Sequence, residues 1–373
     1  MSAVSDRLPA FPWDKLEPYK KTAAAHPDGI VDLSVGTPVD PVPEPIRKAL
    51  SAAADSPGYP TVWGTPELRD AITRWAEHRL GARGVTHRHV LPVVGSKELV
   101  AWLPTQLGLG PGDKVAFPRL AYPTYEVGAR LARAEYVAYS LTPGADAPGP
   151  TDLDPAGLKL LWLNSPSNPT GRVLSREELT RIVAWAREHG VLVFSDECYI
   201  ELGWETDPVS VLHPDVNGGS YDGIVSVHSL SKRSNLAGYR AAFLAGDPAV
   251  LGPLLQIRKH GGMMTSAPTQ AAVVAALGDE EHVRAQRERY AARRGVLREA
   301  LLAHGFRIEH SEASLYLWAT RDESCWDTVA HLADLGILVA PGDFYGPAGA
   351  DFVRVALTAT DSRVQAAAHR LTT

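Results

Sequence analysis

An α/β fold, with a mostly parallel sheet and a second, smaller α/β region, follows from three observations on the chain. Strand-like apolar runs alternate with helical patterns as far as about residue 260, which argues for parallel strands with helices on both faces. Gly95, Tyr122, Asn168, Asp196 and Ser229 each sit just past the C-terminal end of such a run. That is where open α/β sheets place ligands. At 373 residues the chain can bury one large core and a smaller one.

The elements follow in order. Residues 1–30 are rich in proline and charge, with a short helix expected around 13–25. Residues 32–38 read as a short strand running into a turn at Gly36. A helix opened by prolines covers 43–54. Thr65 can cap a helix that starts at Pro66 and runs through Trp75 to Arg79. Residues 90–98 read as strand, glycine turn and helix start. The glycines of 108–113 superficially resemble a dinucleotide-binding loop. They end a helix and precede the strand 114–117, the reverse of the order that loop needs, so turn chemistry explains them. Residues 142–155 form a polar loop. Strands are expected at 159–163, 191–194, 224–227 and 241–244, with a helix over 175–189 opened by Ser175 and Glu178 as a capping box. A long charged helix covers 279–304. Strands at 306–309 and 315–319, a helix at 326–335, a strand at 337–340 and a turn at 341–346 come next. Residues 351–357 alternate as a strand with Arg354 at its centre.

Chemistry concentrates after the run at 223–227. Ser229-Leu230-Ser231-Lys232-Arg233, then Gly238-Tyr239-Arg240, bring a hydroxyl, an amine and a guanidinium onto one loop. That set suits a phosphorylated carbonyl cofactor: Ser229 and Arg240 can hold phosphate, and Lys232 can condense with an aldehyde. Taken alone, Ser-x-x-Lys is also a surface lysine in a serine-rich turn, or the opening motif of penicillin-binding enzymes. Two upstream stretches decide. The run at 191–194 leads into Asp196, with Tyr199 three residues on, and the run at 160–163 leads into Asn164 and the turn Asn168-Pro169-Thr170-Gly171. Asn-Pro-x-Gly, Asp-x-x-Tyr and Ser-x-x-Lys with a trailing Arg, in this order, resemble the fold-type I pyridoxal phosphate (PLP) enzymes, specifically the class I/II aminotransferases. The resemblance spans nearly the whole chain.

The resemblance implies a seven-stranded central sheet in a large PLP-binding domain of residues 35–280, with 1–34 and 281–373 forming a small domain. It implies transamination with pyridoxal 5'-phosphate as cofactor. Lys232 would carry the cofactor and move the substrate's proton. Asp196 would keep the ring nitrogen protonated, while Tyr199 and Asn168 would bond the ring's phenolic oxygen. Tyr122 would stack on the ring, and Tyr125 reads as packing. The phosphate would fall to Ser96 and the backbone of Lys97 at a helix N-terminus, to Ser229 and Arg240, and to Tyr59 reaching across a homodimer interface. Gly36, Asn168 and Arg354 would bind substrate. An arginine inside an apolar strand needs a partner, either the substrate's α-carboxylate, which the family context implies, or an aspartate of the chain.

The segments 95–98, 103–113 and 118–125 resemble those of actinobacterial N-succinyldiaminopimelate aminotransferases. This implies N-succinyl-LL-2,6-diaminopimelate and 2-oxoglutarate as substrates, in lysine and diaminopimelate synthesis. Arg119, Lys97 and Lys259 are candidates for a distal carboxylate, and each is equally a solvated charge. The alternatives are another class I aminotransferase, acting on aspartate or aromatic amino acids, and a PLP C–S lyase that shares the lysine and Asp-x-x-Tyr. A PLP-binding regulator would need a basic helix-turn-helix, for which the chain has no candidate.

A net charge of −6 gives no basic footprint for nucleic acid. Two cysteines, Cys198 and Cys325, make no disulfide framework, so a reducing compartment is expected. No metal is expected. Residues 1–12 hold no apolar core of signal-peptide length, no apolar run is long enough to span a membrane, and a cytoplasmic location is the expectation.

Overall fold

Strands that are apolar on both faces need cover on both sides, and this sets the central layer. A computed structural model describes residues 4–142 and 147–373; the polar loop expected over 142–155 lies partly outside them. The strands are β1 (Val31–Asp32), β2 (Val90–Val93), β3 (Lys114–Pro118), β4 (Glu135–Tyr139), β5 (Leu158–Asn164), β6 (Leu192–Asp196), β7 (Ile224–Ser229) and β8 (Ala242–Gly246). They continue with β9 (Arg307–Glu309), β10 (Tyr316–Thr320), β11 (Ile337–Leu338), β12 (Ala340–Pro341) and β13 (Val353–Ala356). Seven strands form the central sheet in the order β2-β8-β7-β6-β5-β3-β4. Only β8 runs antiparallel to its neighbours; the other pairs are parallel.

Local signals place the covering helices. Thr65 accepts from the Leu68 N–H at 3.2 Å and starts helix Pro66–Leu80. Ser175 and Glu178 make the reciprocal capping box of helix Arg176–Glu188. Both helices, with Ala267–Leu277, pack on one face of the sheet through Ile72, Trp75, Leu179 and Ala272. Helices Ser96–Gln106, Thr124–Ala132 and Pro248–His260 cover the other face through Leu99, Tyr125 and Leu251. A separate core gathers Leu16, Tyr290, Trp318, Val329 and Leu371 around the antiparallel sheet β12-β13-β10-β9.

Two expected strands take a different form. The strand at 32–38 shrinks to β1, because Ser34 donates from N–H and hydroxyl to Asp32 Oδ1 (2.9 and 2.6 Å) and turns the backbone away. The strand at 337–340 splits: β11 pairs in parallel with β1, and β12 joins β13. The N-terminal segment is thereby tied to the C-terminal part of the chain. Arg293 adds a second tie, donating to both Asp40 oxygens (2.8 and 2.7 Å) and to Asp361 (2.6 Å). Among the described residues no helix is long and apolar enough to cross a membrane.

Candidate active site

Register brings the first residues together. Asn164 stands beside Asp196 at the ends of β5 and β6. The Asn164 amide donates to the Asp196 carbonyl at 2.9 Å, and its oxygen accepts from the Asn168 N–H at 2.7 Å. This anchors the Asn168 turn to the Asp196 strand. Asn168 Oδ1 then accepts from Arg354 Nη1 at 2.8 Å, and Arg354 Nη2 donates to the Ser34 carbonyl at 2.8 Å. Arg354 is 3% exposed, and its guanidinium carbon lies 3.9 Å from the Tyr316 ring centre and 4.8 Å from that of Tyr345. Its Nε has no partner, and no carboxylate among the described residues pairs with it.

Asp196 is the mirror case, a buried carboxylate with no basic partner among the described residues. Tyr125 donates its hydroxyl to Asp196 Oδ2 at 2.9 Å, and the Cys198 N–H donates to Oδ1 at 3.2 Å. Burial raises the pKa of Asp196, and the bonds from Cys198 and Tyr125 oppose the rise. The expectation that Tyr125 only packs is therefore corrected. Its ring does stack on Trp162, but its hydroxyl holds the aspartate.

Lys232 lines the same cleft as these two groups. Its amine donates to the carbonyl of Gly36. Burial pushes its pKa below the ordinary lysine value; Arg354 and Arg240 add to this and Tyr316 opposes it. A lysine with a lowered pKa offers more free amine to an aldehyde. A Cβ on Gly36 would collide with the Tyr316 hydroxyl, so glycine lets the two approach. The Tyr199 and Tyr316 hydroxyls meet at 3.0 Å. Burial, then Tyr316, drives the Tyr199 pKa up, while Arg354 and Lys232 outweigh burial at Tyr316 and bring its pKa down. Tyr316 was legible in the sequence only as a strand residue.

The far wall is built for an anion. Gly95 (φ 83°) precedes helix Ser96–Gln106, whose first turn has no side-chain cap. Such a terminus presents free N–H groups. Arg240 lies directly over Gly95, where a Cβ would overlap its guanidinium, and is braced by donating to the Ala237 carbonyl at 2.8 Å. Ser229 lies alongside, accepting from the Ser231 N–H at 3.2 Å. Tyr122 meets Tyr125 edge-on at 6.0 Å between ring centres, and burial pushes its phenol up to about 12.

One cleft of 1060 Å³ collects Gly36, Ser96, Lys97, Tyr122, Asn168, Asp196, Tyr199, Ser229, Lys232, Arg240 and Arg354. Tyr59 stays out of it and is 97% exposed. Of the candidates for a distal carboxylate, only Lys97 lines the cleft; Arg119 and Lys259 do not. Leu8, Phe11 and Trp13 form a further wall, which no sequence pattern marked. The donor set fits PLP at three points. Asp196 matches a protonated ring nitrogen, the Gly95–Arg240 corner matches the phosphate, and Lys232 in the same cleft matches the aldehyde. Arg354 remains a buried guanidinium without a carboxylate partner among the described residues.

A fold with ligand groups at the strand ends, and an amine, an acid and an anion cup in one cleft, fits a PLP-dependent enzyme. The aminotransferase class I and II family profile matches residues 28–371, and the chain belongs to that family. The chain is 60% identical to 4-dedimethylamino-4-oxo-anhydrotetracycline transaminase OxyQ of Streptomyces rimosus, over 98% of this chain and 99% of that one. It is 59% identical to the "probable aminotransferase Rv1178" of Mycobacterium tuberculosis, over 99% and 86%. Among solved structures it resembles a "probable N-succinyldiaminopimelate aminotransferase" of Thermus thermophilus, at 29% identity, TM-score 0.87 and coverage of 97% and 99%. The enzyme is PLP-dependent and acts on amino and 2-oxo acids.

Proposed function

We propose that the enzyme exchanges the amino group between N-succinyl-LL-2,6-diaminopimelate and 2-oxoglutarate. The observation that carries this is Lys97. Its amine lies 5.7 Å from the Phe11 ring centre, in the cleft, and pairs with no carboxylate among the described residues. Arg354 and Arg240 answer an α-carboxylate and a phosphate, so Lys97 is a cation left over. A long substrate with an aliphatic body and a distal carboxylate matches that cation and the apolar wall of Leu8, Phe11 and Trp13.

In this reading Arg354 and the Gly36 backbone fix the α-carboxylate. Asn168 and Tyr199 hold the cofactor's phenolic oxygen, Tyr122 packs on its ring, and Ser96, Lys97 N–H, Ser229 and Arg240 hold its phosphate. PLP, when bound, draws into its ring the electrons left on the substrate's α-carbon. Asp196 keeps the ring nitrogen protonated. Lys232 Nζ takes the α-proton and delivers it on the cofactor side. We place the large domain at 35–280 and the small one at 1–34 with 281–373, as the β1–β11 pairing supports. We further propose a C2 homodimer, in which the exposed Tyr59 serves the neighbour's phosphate; Tyr59→Phe should weaken PLP binding.

A second reading, transfer of an amino group to a polycyclic ketone, is favoured by the 60% identity to OxyQ. A substrate panel separates the two. The PLP enzyme is mixed with N-succinyl-diaminopimelate, glutamate, aspartate, phenylalanine and a fused-ring amine, and loss of the visible PLP band is followed. Rapid conversion by the succinyl compound, with KM raised in Lys97→Met while the glutamate KM holds, supports the proposal. Conversion by the fused-ring amine alone replaces it with the second reading.

A further inference from the structure

Three groups assigned to the cofactor have chain neighbours that face away from the cleft. Glu197 follows Asp196, His228 precedes Ser229 and Arg233 follows Lys232. All three neighbours are buried, at 1%, 3% and 5% exposure, and they meet behind the cleft. Glu197 Oε1 accepts from the Val211 N–H at 2.9 Å, and its Oε2 lies 3.6 Å from His228 Nε2. His228 Nε2 is 2.8 Å from the Ser226 hydroxyl. Arg233 Nε pairs with Glu201 Oε2 at 2.5 Å, and Glu201 also faces Arg79 at 3.8 Å. The Trp75 ring closes the group, 4.9 Å from the His228 ring centre and 5.7 Å from the Arg233 guanidinium.

This polar group is unfinished as the side chains stand. Glu197 Oε2, His228 Nδ1 and Arg233 Nη1 and Nη2 are buried without a hydrogen-bond partner among the described residues. Buried polar groups are almost always satisfied by protein or ordered water. A cavity of 10 Å³ opens among them, lined by Glu197, His228, Arg233, Glu201 and Trp75. A buried water needs about that volume and two to four polar neighbours. The size and the unpaired atoms, two independent observations, coincide at one place.

We propose that this cavity is a water site, and that Glu197, His228 and Arg233, joined through that water, position Asp196, Ser229 and Lys232 from behind. The three are positioning residues: none lines the cleft. Their effect is geometric. A carboxylate, a hydroxyl and an amine must meet one rigid ring at once, and the backbone links between each pair transmit any shift of the polar group. The inference rests on the assignment of those three groups to PLP.

The test has two arms. A crystal structure of the PLP enzyme, at a resolution that shows ordered waters, should place a water within hydrogen-bond distance of Glu197 Oε2 and an Arg233 Nη; a dry cavity overturns the site. In parallel, PLP affinity is read by titrating the visible band, and kcat and KM are read separately for Glu197→Gln, Glu197→Leu and His228→Phe. Misplacement by about 1 Å can reduce a rate on the order of a hundredfold. Glu197→Leu and His228→Phe should therefore raise the PLP dissociation constant and lower kcat at least about tenfold, with KM within about twofold. Glu197→Gln, polar and of the same shape, should stay near the parent enzyme. A Glu197→Leu or His228→Phe enzyme that unfolds at the parent's midpoint and keeps both PLP affinity and kcat overturns the positioning role. If the parent chain itself bound no PLP, the underlying assignment would fall instead.

Discussion

Buried carboxylates resist ionisation, and burial raises the pKa of Asp196. The Tyr125 hydroxyl and the Cys198 N–H work against that by bonding one oxygen each. A hydrogen bond to a charged group contributes about 1.5–3 kcal/mol. Tyr125→Phe should accordingly move the acidic limb of the kcat–pH profile up by about one to two units. The sign follows from the carboxylate losing a donor that favours its charged form. An unmoved limb would return Tyr125 to packing. Arg354 is the second residue whose burial demands a partner. Removing one member of a buried charge pair costs about 2–5 kcal/mol. Arg354→Ala should thus raise KM for amino acids by roughly thirtyfold or more, with PLP still bound; an unchanged KM would make Arg354 structural.

At the scale of elements, the anion cup depends on a strand, a glycine and a helix start. Gly95 sits at φ 83° beneath the Arg240 guanidinium. Gly95→Ala combines backbone strain with a clash against the Arg240 guanidinium. PLP affinity, measured by absorbance titration, should fall at least about tenfold with the fold intact, given a strain of order 1 kcal/mol and a displaced charged donor. Wild-type affinity would show that the cup lies elsewhere. Elements with sharp local signals were legible in the sequence. Thr65 and Ser175 cap as expected, and β5, β6 and β7 run one or two residues past the expected ends, to Asn164, Asp196 and Ser229. Helix Ala267–Leu277 was not read, because its residues are almost all apolar and no face stands out from another. The edge strand β4 was missed too. Four of its five residues are exposed or half-buried, so no core face marks it. Tyr125 and Tyr316 escaped for a different reason. A tyrosine's type does not say where its hydroxyl points, and only packing across the sheet and between sheets decides that.

For the whole molecule, the ties between distant segments are ionic as well as β-sheet pairings. The Asp40 side chain is 9% exposed; burial would raise its pKa, but Arg293, Gln286 and Arg289 more than offset that and lower it. A carboxylate whose folded pKa is depressed stabilises the fold above its unfolded pKa, and that stabilisation disappears as pH falls through the folded value. Urea midpoints across an acid series should therefore drop below pH 3.8. Asp40→Asn should start lower at neutral pH and show a flatter acid dependence. Equal curves would mean that Arg293 draws its stabilisation from Asp361 alone.

The central claim is that Lys232 is the amine that carries PLP. The most direct measurement is to load the chain with PLP, reduce it with borohydride and locate the pyridoxyl mass by peptide mass spectrometry. The account predicts the label on the peptide containing Lys232, and a Lys232→Ala chain that shows neither label nor the visible band of bound PLP and loses nearly all turnover. A label on another lysine, or a Lys232→Ala enzyme that still transaminates at the parent rate, would contradict it.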